Sequence, residues 1–435
     1  MADQIGPARK RPIRTRTSPK TSSATNPVDS ERDFPLKIQM RRLFWMMGVS
    51  TSLDVKLRAH ISGDSRSPGW QEYTDLDVLG VGFSPTGEPH IMLADCKTSS
   101  GRAIERMFWV RGVADFFSAD AAFMVRTQPV PAAARTLSNR IDVAVLDPDD
   151  YRALASTYST SLDFDGPLRH LFDVNSVRHQ MDSYSGLPKK LNSLVEFTRF
   201  DYWTYEPYRN LTQVVAHLAD AVSVLDPNNP AHVALFLENA WLFVFALAQA
   251  THHVRTSRMA DVPFAVSTYV AGGELAKREK AQLAQLLRQA GFNVDSRSSV
   301  LPPYIDSLTE LITRFLVRPA EIVEVLRYAE YLITASVVGE TATVGEAFGT
   351  NVRPIAAKLL ADACGFLVTA AGLRPAFRVL ARERLIIDLT GGNSAVQVKA
   401  EHLTNGPAEK SSSITQMSLP IENEGESKIK PSALE

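Results

Sequence analysis

Two strand-like runs joined by a turn, "DLDVLGVGF" (75–83) and "HIMLADCKT" (90–98), constrain this chain more than any other feature. Each is apolar and rich in Val, Ile and Leu, and "SPTGEP" between them supplies the Ser, Pro and Gly of a hairpin connection. The surrounding segments alternate in kind. A helix-spaced stretch, "PLKIQMRRLFWMMGV" (35–49), precedes an alternating strand, "SLDVKLRAHI" (52–61). After the hairpin come a helix over 99–119 with a Ser start signal and apolar residues at 104, 107, 108, 110, 113, 114 and 117, a strand "AAFMVRT" (121–127), a Pro-started helix (131–140) and a strand "IDVAVLD" (141–147). That order calls for an α/β fold: a mixed sheet flanked by helices.

From about residue 166 the texture becomes helical, with segments near 209–225, 231–253, 274–290, 305–317, 319–336 and 354–373 and no repeat of fixed period. The expected organisation is a basic tail at 1–33, a sheet domain at 34–150, a mainly α-helical C-terminal domain at 166–396, and a second polar tail at 400–435. Both tails are expected to be disordered. Residues 1–20 carry six Lys or Arg against one acid, so the first is a flexible basic arm able to touch phosphates. No run of 18 apolar residues stands without an interrupting polar group, since Glu238 and Asn239 break the best one, and no membrane span is expected. Two cysteines, Cys96 and Cys364, make no disulfide framework; with no secretory signal pattern, a cytoplasmic location is expected.

Side chains alternate along a strand, so Asp75 and Asp77 share a face, as do Asp95 and Lys97. Carboxylates at the end of a hydrophobic strand are costly unless neutralised. Lys97 offers one charge for several acids, which points to a divalent cation as the remainder; oxygen-only ligands select Mg²⁺, with Mn²⁺ as a substitute. A metal next to an ammonium group is suited to phosphodiester hydrolysis. The motifs of other chemistries are absent or incomplete: Gly80-x-Gly82 lacks the third glycine of a dinucleotide site, there is no phosphate-binding G-x-x-x-x-G-K-[ST], and His252-His253 has no zinc spacing. "DLD" also invites a transferase D-x-D reading, although here the apolar run follows the acids.

Asp77, a hairpin and then Asp95-Cys96-Lys97, in this order of elements, resembles the PD-(D/E)xK superfamily of restriction-endonuclease-like nucleases over about residues 35–150. The resemblance implies a restriction-endonuclease-like mixed sheet and a Mg²⁺-dependent endonuclease, a hydrolase acting on DNA more than on RNA, in prokaryotic defence or DNA processing. It makes Asp77 and Asp95 metal ligands, the Cys96 carbonyl a further ligand and Lys97 the catalytic lysine. Asp75 and Glu72 are candidates to support the metal from further out, and Arg102 and Arg106 to contact phosphate, with Arg111, Arg126 and Arg135 as weaker ones. Members often carry an acid on the first helix; Arg41 and Arg42 stand there, leaving that element absent or supplied by Glu31. The aromatic stretch "FTRFDYWTYEPYR" (197–209) can stack on bases or pack in a core. The other reading is a nuclease-fold scaffold or nucleic-acid-binding module that has lost its chemistry and acts through its helical half. A homodimer or a protein partner would engage that half.

Overall fold

The computed structural model describes residues 27–61, 69–98, 103–257, 260–292 and 300–385. The basic arm, the polar C-terminal segment and Arg102 lie outside the described residues.

The sheet has five strands in the order β1 (Ser50–Ile61), β2 (Gly69–Phe83), β3 (Pro89–Lys97), β4 (Ala121–Arg126) and β5 (Ala144–Leu146). The first three form an antiparallel meander, and β4 and β5 continue parallel to β3. Each parallel step needs a crossover, and α2 (Ala103–Phe117) and α3 (Ala132–Ile141) provide them. The hairpin turns at Gly87, whose φ of 80° is open to glycine, with Gly87 N–H donating to Ser84 O at 2.8 Å.

The two sheet faces are covered by different helices. α1 (Pro27–Met46) packs Leu36, Met40, Leu43 and Phe44 against Val78, Ala94, Cys96, Phe123 and Val125. α2 packs Met107, Val110 and Ala114 on the other face, with Leu79, Val81, Leu93 and Met124. Gly80 belongs to the α1 packing: a Cβ there would stand 2.8 Å from the Phe44 ring. Ile104 and Phe108, expected in the α2 stripe, are exposed at 43% and 56%.

α1 starts at Pro27 and not at Pro35. The helix-spaced stretch 35–49 begins at Pro35, but the helix runs through that proline, so Asp33 is helical and lies one turn from Lys37.

After α4 (Pro148–Thr157) the chain is helical: α5 (Val174–Ser183), α6 (Asn192–Glu196), a π-helical turn (Phe197–Asp201), α7 (Tyr202–Thr204), α8 (Pro207–Ala221), α9 (Pro230–Ser257), α10 (Val262–Ala271), α11 (Glu274–Gln289), α12 (Ile305–Leu316) and α13 (Ile322–Val338). Three more follow, α14 (Val344–Phe348), α15 (Pro354–Ala370) and α16 (Ala376–Arg384). α9 and the segment Pro354–Ala371 are long and apolar enough to cross a membrane, but 89% of the apolar window of α9 is buried inside the protein, where it serves as the hub of the helical half.

The change of texture near 150–166 is not a gap in the core. One continuous cluster runs from Val55, Leu76 and Leu93 of the sheet to Phe197, Trp241 and Tyr331 of the helices. Glu330 of α13 fastens the two halves. This buried carboxylate accepts from Arg41 Nε at 2.9 Å, Trp45 Nε1 at 3.0 Å, Ser50 Oγ at 2.8 Å and Thr51 N–H at 2.8 Å, and also from the Thr51 hydroxyl. Charge-assisted bonds of this kind are the strong ones.

Candidate active site

The β2–β3 ladder ends at Val78↔Ala94, so Asp77 and Asp95 stand just past its last pair, where the strands separate. There the Cys96 N–H has no β2 carbonyl opposite and donates to Asp77 Oδ2 at 2.7 Å. The Asp77 carboxylate thus caps the open end of the ladder. Asp77 and Asp95 are buried, at 3% and 1% exposed.

Their countercharges come from opposite helices. From α1, Lys37 Nζ lies 2.7 Å from Asp77 Oδ1 and also pairs with Asp54 of β1. From α2, Arg106 grips both oxygens of Asp95, with Nε at 2.8 Å, while its guanidinium lies 3.5 Å from the Trp109 ring centroid. Lys97 Nζ is 3.8 Å from Asp77 Oδ2 and 3.2 Å from Asp33 Oδ2. Asp33 in turn accepts from the Thr98 N–H and hydroxyl, each at 2.7 Å. Asp54 has φ of 50°, a strained backbone of the sort that concentrates at functional sites.

This answers the charge question differently from the sequence. Lys97 is not the lone cation among several acids: Lys37 and Arg106 are there as well. Asp33, Asp54, Asp77 and Asp95 face Lys37, Lys97 and Arg106, leaving one negative charge. Of the acids in the first helix, Asp33, one turn before Lys37, is the one paired with Lys97, while the Glu31 side chain lies outside the described residues. The legible signal was a polar stripe at i, i+4, i+8, Asp33, Lys37 and Arg41, all buried, on a helix whose Arg32, Gln39 and Arg42 are exposed.

The protonation states follow from these contacts. Burial pushes the Asp77 carboxyl up, but Lys37, Lys97 and the Cys96 N–H overcome it and hold Asp77 below the usual carboxylate range. For Asp95 burial prevails, with Asp77 adding to it, so its carboxyl is raised despite Arg106. Burial disfavours the charged form of Lys97, yet Asp77, Asp95 and Asp33 outweigh this and raise its pKa, so Lys97 is a fixed cation and not a proton acceptor at neutral pH. Burial raises the Cys96 thiol further, which leaves its sulfur inert.

The remaining expected residues are less central. Asp75 is half-buried opposite Lys56 in β1, and the Glu72 side chain lies outside the described residues. Arg106, expected on phosphate, is committed to Asp95. Arg111 pairs with Asp115 at 2.6 Å, and Arg135 with Asp147 and Asp150 at 2.7 and 2.8 Å. In the aromatic stretch, Phe197 and Tyr202 are core residues, at 0% and 2% exposed, so packing accounts for them.

Among the described residues no group of three or more His, Cys, Asp or Glu side chains is arranged to hold a metal ion. A hard divalent cation needs only one or two carboxylates if waters complete its shell. Asp77 and Asp95 are such a pair, with the Cys96 carbonyl next after Asp95 in sequence. For this pair to hold a cation, Arg106 would have to leave Asp95, and Asp77 would have to ligate while still paired with Lys37 and the Cys96 N–H. Arg106 is 32% exposed and can turn to water, whereas Lys37, at 2%, cannot.

No family model, no curated protein and no solved structure matches this chain.

Proposed function

We propose that the protein is a Mg²⁺-dependent endonuclease of restriction-endonuclease-like fold that hydrolyses DNA phosphodiester bonds, in a cytoplasmic setting of prokaryotic defence or DNA processing. The observation that carries this reading is the placement of Asp77, Asp95 and Lys97 together where β2 and β3 part, with Asp33 holding Lys97 in place. The order of helices and strands, and the meander followed by parallel strands, support the same fold.

Asp77 and Asp95, with the Cys96 carbonyl, would hold the ion. When bound, Mg²⁺ polarises the scissile phosphate and lowers the pKa of a coordinated water. The chain's own groups do the rest. Asp77 is kept ionised by Lys37 and the Cys96 N–H, ready to ligate. Lys97, kept protonated, presents a positive charge to the phosphate and stabilises the charge that develops on it during attack.

The test is cleavage of labelled supercoiled plasmid, linear duplex, single-stranded DNA and RNA with Mg²⁺, Mn²⁺ or EDTA, alongside Lys97→Ala. Metal-dependent cutting that the variant lacks is expected. A variant that cuts like the parent would remove Lys97 from the mechanism.

A second reading, a nuclease-fold scaffold acting through its helices, is favoured by the same ion pairs, since Lys37 and Arg106 already neutralise the carboxylates. The two readings part on Arg106. If Asp95 is a metal ligand, metal entry breaks a bidentate charge-assisted pair worth roughly 1.5–3 kcal/mol. Arg106→Ala should then tighten Mn²⁺ binding by about tenfold or more in calorimetric titration. In a scaffold, neither parent nor variant binds Mn²⁺.

A further inference from the structure

α2 carries apolar residues on two sides. Met107, Val110 and Ala114 face the sheet, as a core-covering helix requires, and polar residues normally take the opposite side. Here Ile104, Phe108, Gly112 and Phe116 run along it, spaced four apart and all exposed, Phe116 at 61%. That spacing makes one ridge on a helix surface. Phe117, next in sequence, turns inward to Trp203, with ring centroids 6.5 Å apart, so the two phenylalanines at the helix end serve different surfaces.

The ridge is complementary to itself. A Cβ placed on Gly112 would meet no atom within 4 Å, so a second helix can come close to the backbone there. Phe108 and Phe116 stand one turn to either side of this glycine. In an antiparallel crossing centred on Gly112, Phe108 of each copy lies opposite the partner's Phe116, and the contact occurs twice, as a two-fold axis demands. The charges agree with this arrangement. Arg111 and Asp115 pair at 2.6 Å along one flank of the ridge, with Asp142 3.7 Å from the same guanidinium. The crossing brings Arg111 of each copy toward the partner's Asp115, so positive and negative charges alternate and none is covered without its opposite.

We propose that two copies of this chain associate through α2, crossing antiparallel at Gly112 with Phe108 of each packed against the partner's Phe116. The occupant of the ridge is a second copy because the pattern is its own complement: an aromatic ring on each side of a glycine, and one charge of each sign on the flank. Covering the rings supplies the driving force. Three large side chains offer less surface than the roughly 800 Å² a side of a standard interface, so the dimer is weak, with a dissociation constant on the order of micromolar. The contact lies on the sheet half and stands apart from the nuclease reading, since Asp77, Asp95 and Lys97 take no part in it.

Sedimentation velocity of the full chain across the micromolar range, without nucleic acid or metal, tests this; a concentration-dependent shift from monomer to dimer is expected. Phe108→Lys should weaken association by about a hundredfold or more, because the two-fold axis counts each loss twice. It should melt like the parent, because Phe108 is exposed in the single chain. Arg111→Asp sets acid against acid and should weaken association by about tenfold, and adding Asp115→Arg to it should restore the parent's behaviour. Gly112→Cys should form a disulfide-linked dimer under mild oxidation far faster than Ser156→Cys on the exposed side of α4, since a close crossing brings the two Cα atoms within disulfide reach. Cys96 and Cys364 are buried and do not compete. A chain that stays monomeric at every concentration, Phe108→Lys that dimerises like the parent, a double charge reversal that fails to recover, or Gly112→Cys that links no faster than Ser156→Cys would overturn the proposal. A dimer that cuts nothing would leave this contact standing and the nuclease reading fallen.

Discussion

Glu330→Ala should be the most destabilising single substitution, lowering the unfolding free energy by about 3–5 kcal/mol, as expected for breaking a buried ion pair from one side. The carboxylate is 3% exposed and faces donors on α1 and β1. Its removal leaves the Arg41 guanidinium, 4% exposed, without its anion, and strips the Trp45, Ser50 and Thr51 donors of their acceptor. Glu330→Gln keeps the shape but loses the charge and turns an NH₂ group toward donors, so it should cost less than alanine while still costing stability. Urea denaturation followed by circular dichroism checks both. Because the carboxylate joins the sheet half to the helical half, the loss should appear as one lower transition shared by both halves. Two separated transitions, with the sheet half unaffected, would show that Glu330 is not the fastening point.

The second large effect is an asymmetry between the two carboxylates. Both Asp77→Ala and Asp95→Ala should abolish metal-dependent cleavage, since each removes a proposed ligand. Relief of crowding, judged from sequence alone, would leave the fold intact in both, and the contacts say otherwise. Asp77 caps the Cys96 N–H and shares Lys37 with Asp54, so its loss leaves a buried donor unpaired and weakens the hold on a buried cation, a cost of about 2–3 kcal/mol. Asp95 is held only by Arg106, which can turn to water, and burial raises its pKa. For a carboxyl raised on folding, ionisation opposes the folded state: its favourable contribution is complete below the unfolded pKa and is lost as pH rises through the folded one. Asp95→Asn removes that loss, so it should be neutral or stabilising and should gain most at alkaline pH. Melting curves across pH test this. Equal destabilisation by the two substitutions would mean that the Arg106 pair supports the fold as strongly as the Lys37 pair does.

The element order was legible because it depends on local pattern. Alternation in 52–61 and the apolar runs 75–83 and 90–98 match β1, the second part of β2, which begins earlier at Gly69, and β3, and the Pro and Gly of 84–89 mark the turn. The main helices 209–225, 231–253, 274–290 and 305–317 match α8, α9, α11 and α12 to within a few residues. Asp77, Asp95 and Lys97 could be placed together because side-chain direction on a strand is fixed by parity.

What the sequence missed came from distant segments. Lys37 and Asp33 lie some 40–60 residues before their partners, and neither follows from spacing along the strands. The same holds for Arg106, whose pairing with Asp95 depends on how α2 crosses the sheet. The strand patterns and the Pro- and Gly-bearing turn by themselves determined the hairpin and the face on which the acids stand, because those follow from backbone geometry within a few residues. Only the tertiary structure decided which charges neutralise which, that α1 supplies both an acid and a cation to the site, and that Glu330 joins the two halves. Burial has physical consequences for a carboxylate only through the groups packed around it, and packing across hundreds of residues is written in no local pattern.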